Sequence, residues 1–156
     1  MRGLYHGLYI KLAVLALLLA LGQPVLAQDV AKRMTLMQYV MQKRPVLAEL
    51  VTKAGLTPLL SGDAPYTILA PPEAALEELK DLPPVRIRAV LSGHILQGLY
   101  QEKDFKDGAT LETLAHTNVT VCRKKDHTLV DGVRIGGEHT QVKNGMLHSL
   151  SGKLDL

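Results

Sequence analysis

Tryptophan is absent, and phenylalanine and cysteine each occur once. A lone Cys122 cannot form an internal disulfide, so the fold must rest on packing and hydrogen bonds. Lying in the apolar run Val119 to Cys122, it is expected to be a small buried hydrophobe rather than a reactive thiol. So few rings, with no basic cluster longer than Arg123-Lys124-Lys125, leave little for nucleic-acid bases to stack on, and nucleic acid is not an expected partner. No G-x-S-x-G elbow, phosphate loop or dinucleotide fingerprint occurs, and Gly132, Gly136 and Gly137 read as hairpin punctuation. Beyond the first 27 residues the histidines are His94, His116, His127, His139 and His148, and no two have the spacing of a helical zinc site. Glu77-Glu78 reads as a solvated helix face. The sequence therefore predicts no catalytic residue, metal or cofactor.

A membrane-spanning run is also missing. Leu12 to Leu21 is unbroken and apolar, but only about half the ~20 residues a bilayer requires. Arg2 and Lys11 precede or flank this run, Gln23-Pro24 breaks it, and Val25-Leu26-Ala27 supplies small-residue cleavage chemistry. Residues 1–27 thus read as a secretory signal peptide cleaved after Ala27, the alternative being an uncleaved membrane anchor. Membrane contact is then limited to the transient leader. Losing Arg2 and Lys11 takes 18 basic residues to 16 against 15 acidic ones, so the mature chain is close to neutral. With 156 residues, 47% hydrophobic, the remainder is expected to be one domain over residues 28–156.

Within that domain, Tyr66-Thr67-Ile68-Leu69 reads as a buried strand ended by Ala70-Pro71-Pro72, after which Glu73 starts a helix burying Ala75, Leu76 and Leu79. Upstream, Thr35 with Gln38 signals a capped helix, Arg44-Pro45 separates it from a second helix ending near Lys53, and Gly55 lies just past that end. Residues 57–65 read as a connector. Downstream, Val85 to Leu91 restarts a helix and Gly93 to Tyr100 reads as a short strand. Turn signals at Asp107-Gly108, Asp126-His127, Asp131-Gly132, Gly136-Gly137 and Asn144-Gly145 then mark strands joined by tight turns. Helices first and strands later predict an α+β domain. Ile68, Leu69, Leu76, Leu79, Leu91, Ile95 and Leu147 are expected to share its core. Asn118-Val119-Thr120 matches a glycosylation sequon, which has meaning only in a eukaryotic secretory pathway.

Several stretches, in order, resemble the fasciclin domain family. Tyr66 to Leu76 is similar to its first signature, T-V-F-A-P-T-N-E-A-F. Leu91 to Leu96 (LSGHIL) is similar to L-x-Y-H-V-V, and Leu111 to Leu114 to t-L-x-T-L. Val130-Asp131-Gly132 is similar to V-N-G, and Asn144 to His148 with Leu154 to the second signature, N-G-V-I-H-V-I-D-x-V-L. The resemblance implies N-terminal helices packed on a β-sandwich or wedge of short, mostly antiparallel strands. It gives Thr67, Ala70, Pro71, Leu91, His94, Asn144, Gly145 and His148 structural motif roles, and makes His94, Ile95, Leu96 and Tyr100 candidate partner contacts. It implies an exported, non-enzymatic adhesion module whose partner is a cell-surface or matrix protein or polysaccharide. Alternatives are a domain binding a small apolar ligand and, third, a hydrolase. Gly93 stands where the family carries a tyrosine, Pro72 replaces a hydroxyl residue, and His139-Thr140 stands near where some animal members carry an Asp-Ile pair implicated in integrin adhesion, so integrin binding is not implied. His94 and His148 are themselves read as histidines that hydrogen-bond backbone and fix loops.

Overall fold

The computed structural model describes residues 27–155. The predicted leader therefore lies outside the described residues except for Ala27. One compact unit starts at Ala31, and no helix among the described residues is long and apolar enough to cross a membrane.

Helix α1 (Leu36–Lys43) starts where expected: Gln38 N–H donates to the Thr35 hydroxyl and Thr35 N–H donates to the Gln38 side chain, a reciprocal capping box. Pro45 holds Arg44 at φ −138°, outside the helical region, so a second helix α2 (Pro45–Lys53) begins afresh and buries Leu47, Leu50 and Val51. Gly55 adopts φ +68°, and Leu56 N–H reaches back to the Val51 carbonyl at 3.0 Å, closing the helix end. The expected connector contains another short helix, α3 (Thr57–Ser61). Pro58 sits in its first turn and Leu60 is buried, but five residues are too few for apolar periodicity to show. Helices α4 (Glu73–Glu77) and α5 (Pro84–Ser92) follow. Pro72 leaves α4 without a side-chain cap, while the Glu73 carboxylate accepts Val46 N–H at 2.8 Å and so caps α2 instead.

The strands are β1 (Tyr66–Ala70), β2 (Ile95–Gln97), β3 (Thr110–Glu112), β4 (Asn118–Arg123), β5 (Thr128–Val130), β6 (Val133–Val142) and β7 (Gly145–Leu150), in the sheet order β2-β1-β7-β6-β5-β4-β3. All pairings are antiparallel except β1 with β7, in which Tyr66 lies beside Gly145 and Ala70 beside Ser149. The helices cover one face of β1 and β7. The far end of the sheet curls over the other face, and Leu114 N–H donates to the Ile95 carbonyl at 2.8 Å beside a Leu96–Thr113 bridge. This is the expected α+β architecture, with a mostly antiparallel sheet forming a wedge. All five β1 residues are buried because the strand is covered on both faces.

That curl divides the core in two. Ile68, Leu76, Leu79, Leu91, Ile95 and Leu147 pack between helices and sheet. Leu69 instead joins Leu96, Phe105, Val121, Leu150 and Leu154 inside the curl. The single shared core expected from sequence is therefore corrected for Leu69, since successive strand residues point to opposite faces. Gly136-Gly137 is also not a hairpin turn: β6 runs through it, and the register slips between Ile135 and His139 as a bulge, with Gly137 at φ +82°. In β4 the buried positions are Val119 and Val121. Cys122 points to the other face and is half-buried, against expectation. The strand expected over Gly93 to Tyr100 shortens to Ile95–Gln97 because Gly93 caps α5 and Gly98 turns the chain at φ +111°.

Candidate functional site

Each motif residue is held by hydrogen bonds or tight packing. The Thr67 hydroxyl is buried in β1, donates to the Gly98 carbonyl at 2.8 Å and accepts Tyr100 N–H at 2.9 Å, fixing the turn after β2. The buried Asn144 carboxamide accepts Leu36 N–H at 2.7 Å and donates to the Leu60 and Gly62 carbonyls at 3.0 and 2.6 Å. It thereby joins the start of α1, the end of α3 and the β6–β7 turn. Gly145 has no room for a side chain, because a Cβ would overlap the Tyr66 carbonyl oxygen and the Leu36 side chain. Ala70, Pro71 and Leu91 are buried.

His94 is 1% exposed. Its Nδ1 lies 2.9 Å from the Val90 carbonyl, which can only accept, and its Nε2 lies 3.0 Å from Leu154 N–H, which can only donate. The neutral Nδ1–H tautomer is therefore imposed. Burial holds its pKa below the usual histidine value, partly opposed by the Val90 carbonyl. The ring ties the end of α5 to residue 154 without help from a tyrosine at position 93. Ile95 and Leu96 are buried and Tyr100 half-buried. The folded domain consequently does not present the candidate contact set His94, Ile95 and Leu96 to a partner: this apolar stretch is core, and Leu99 is the exposed residue beside it.

His148, fully buried in β7, is built differently. Its Nε2–H donates to the Tyr100 carbonyl at 2.7 Å, leaving the Nδ1 lone pair to accept from His139 Nδ1–H at 2.8 Å. The ring meets Phe105 edge-on, with centroids 5.1 Å apart. On the outer side, His139 Nε2 lies 3.9 Å from a Glu102 carboxylate oxygen. Burial lowers the His148 pKa, with the Tyr100 carbonyl opposing and His139 adding to the shift. Sequence spacing missed this pair, although the β6–β7 turn encodes it: pairing Val142 with Gly145 places His139 opposite His148. The bulge then directs Glu138 to the helical face, where its carboxylate accepts from the Tyr39 hydroxyl and lies 3.8 Å from Arg44. Burial, followed by Glu138, raises the Tyr39 pKa. Arg44 also donates to Ser149.

Among the described residues, no His, Cys, Asp and Glu side chains gather in threes as a metal site would need. The described histidines bond to backbone, carboxylates or each other, with no serine, threonine or cysteine among their partners. On the outside of α1 and α2, two open depressions of about 480 and 470 Å³ share Met41. The first is lined by Arg33, Met34, Gln38, Met41 and Gln42, the second by Met41, Ala48, Glu49, Thr52 and Lys53.

The domain is a helix-covered, curled sheet in which His94 and His148 are engaged in internal hydrogen bonds. The Fasciclin domain family matches residues 43–154, well over half of the chain, and the chain belongs to that family. It is 31% identical over 106 residues to transforming growth factor-beta-induced protein ig-h3 of Sus scrofa, covering 63% of this chain and 16% of that protein. The chain thus spans about a sixth of that relative's length. Among solved structures it resembles a FAS1 domain pair from the insect cell adhesion molecule fasciclin I, with a TM-score of 0.61 at 12% identity, covering 79% of this chain and 51% of the other.

Proposed function

We propose that this domain is an exported, non-enzymatic interaction module of the adhesion type, and that it takes its cell-surface or matrix partner on the outer face of α1 and α2. The observation that carries this reading is Met41, 63% exposed at the junction of the two depressions. An unbranched thioether can adapt to an incoming surface. Around it the rim is polar and charged, with Arg33, Gln38, Glu49 and Lys53, giving the apolar centre and wet border common to protein contacts. The apolar centre favours a protein over a polysaccharide. Because both depressions open to solvent, this face gives less support to capture of a small apolar ligand, which needs enclosure.

The test is binding of the purified mature domain to the surface of its source cells, before and after protease treatment. Met41→Glu is expected to weaken binding about tenfold or more at unchanged melting temperature, the loss typical of a central contact. Equal binding by Met41→Glu would remove the helical face from the proposal. Binding that survives protease but not glycosidase would replace the protein partner by a polysaccharide.

A further inference from the structure

The His139–His148 pair is not used by the adhesion reading. Its centroids are 5.0 Å apart while the Nδ1 atoms are only 2.8 Å apart, so the two nitrogens meet nearly head-on. Lone pairs arranged in this way suit one shared proton. A metal ion would need them to converge on a common point from two directions.

We propose that this pair is a proton-operated latch on the segment from Leu99 to Phe105: it closes with one proton between the two Nδ1 atoms and opens when both Nδ1 atoms are protonated. In the closed state His148 holds the Tyr100 carbonyl through Nε2–H and packs against the buried Phe105 ring. Thr67 holds the same segment from the other side, at Gly98 and Tyr100. A proton added to His139 Nε2 places a cation opposite the Glu102 carboxylate and keeps the Nδ1–H donor toward His148 intact. A further proton, on His148 Nδ1, sets two N–H groups against each other across a gap that admits one hydrogen.

The more exposed ring must then yield. The His139 side chain is 28% exposed, whereas His148 is fully enclosed, so His139 swings outward and abandons Glu102. What remains is an imidazolium at His148 with the Tyr100 carbonyl as its acceptor. The place left by His139 admits water to Nδ1–H alone, and hydrating the rest of the charged ring requires Phe105 and the chain leading to it to move.

The charged groups around the latch are few. Glu102, on the turn Glu102–Asp104, faces His139, and Asp104 on that turn is occupied by Gln101 N–H at 2.8 Å. Tyr39, Arg44 and Glu138 form their own cluster on the opposite face of β6 and β7. Burial and, to a lesser extent, His139 hold His148 neutral against the Tyr100 carbonyl and Glu102, and the net lowering keeps the latch closed at neutral pH until acidification opens it.

The experiment is amide hydrogen exchange on the whole mature domain between pH 7 and pH 5, corrected for the chemical exchange rate. Amides of residues 99–105 are expected to open at least about tenfold more often at pH 5, relative to amides of β1, since opening changes by up to about tenfold per pH unit for each proton it takes up. His139→Gln, whose carboxamide can turn its oxygen toward a protonated His148 Nδ1–H, removes the clash and should abolish most of this acceleration. Ring-nitrogen NMR of the unsubstituted protein should show Nε2–H at His148 and Nδ1–H at His139 at pH 7. Uniform acceleration in β1 and residues 99–105, undiminished acceleration in His139→Gln, or the opposite tautomers would each overturn the latch.

Discussion

The side-chain oxygen of Asn144 accepts the backbone N–H of Leu36 at 2.7 Å across 108 positions of sequence. The same carboxamide closes the carbonyls of Leu60 and Gly62, so one side chain satisfies three backbone groups from two separate segments. Asn144→Ala should orphan these buried groups and lower unfolding free energy by about 2–4 kcal/mol, judged from ~1–3 kcal/mol for a single buried orphan. Urea unfolding measures it, and a loss under ~0.5 kcal/mol would mean water replaces the carboxamide at no cost.

Leu69 lies in the core enclosed by the sheet's own curl. Truncating it to alanine should cost about 2–5 kcal/mol, as for other buried leucines. Because that core is separate from the one beneath the helices, Leu69→Ala and Leu50→Ala should add within about 0.5 kcal/mol in the double variant. Strong coupling between them would show that the two clusters behave as one.

His94→Ala leaves the Val90 carbonyl and Leu154 N–H unpaired. Stability should fall by about 1–3 kcal/mol, while partner binding measured well below the melting temperature stays unchanged. Intact stability with collapsed binding would turn His94 into a contact residue.

The pH dependence follows from His94 and His148, both held neutral below their usual pKa by burial. The unfolded chain protonates them near pH 6.5 while the folded chain does not, so acid favours unfolding. Their contribution is whole above about pH 6.5 and is lost as pH falls toward the lowered folded values, at up to about 1.4 kcal/mol per pH unit for each ring. Denaturation midpoints at pH 7 and pH 5 test this, and a higher midpoint at pH 5 would contradict it.

Export should remove residues 1–27. The intact mass of the protein recovered outside the cytoplasm is expected to begin at Gln28. A mass that still includes Met1 to Ala27 would replace secretion by anchoring.

What the sequence shows of this fold is mostly what local chemistry decides. Thr35 and Gln38 cap α1, Pro45 restarts the chain into α2, and alternation in Asn118 to Arg123 marks β4. The curl that puts Leu69 and Ile68 in different cores is a property of the whole sheet and leaves no trace in either residue's neighbours. Gly136-Gly137 misleads because a bulge and a turn use the same glycine freedom, and only partner strand β7 distinguishes them. The motif residues were legible as a resemblance, but their hydrogen bonds to Gly98, Leu60 and Leu154 were not, since each partner is remote in sequence. Met41 carries no local signal, being one apolar residue among several on an amphipathic helix.

The parallel pairing of β1 with β7 has a consequence for how such a chain is made. β1 lies between β2 and β7 in the sheet, yet almost eighty residues separate Tyr66 from its β7 partner Gly145. Until residues 145–150 leave the ribosome or the export channel, β1 and β6 both offer bare edges to any passing strand, their own copies included. A nascent or clipped chain ending before β7 is thus the form most in need of a chaperone, and the final strand acts as the closing stitch that makes the molecule safe to crowd.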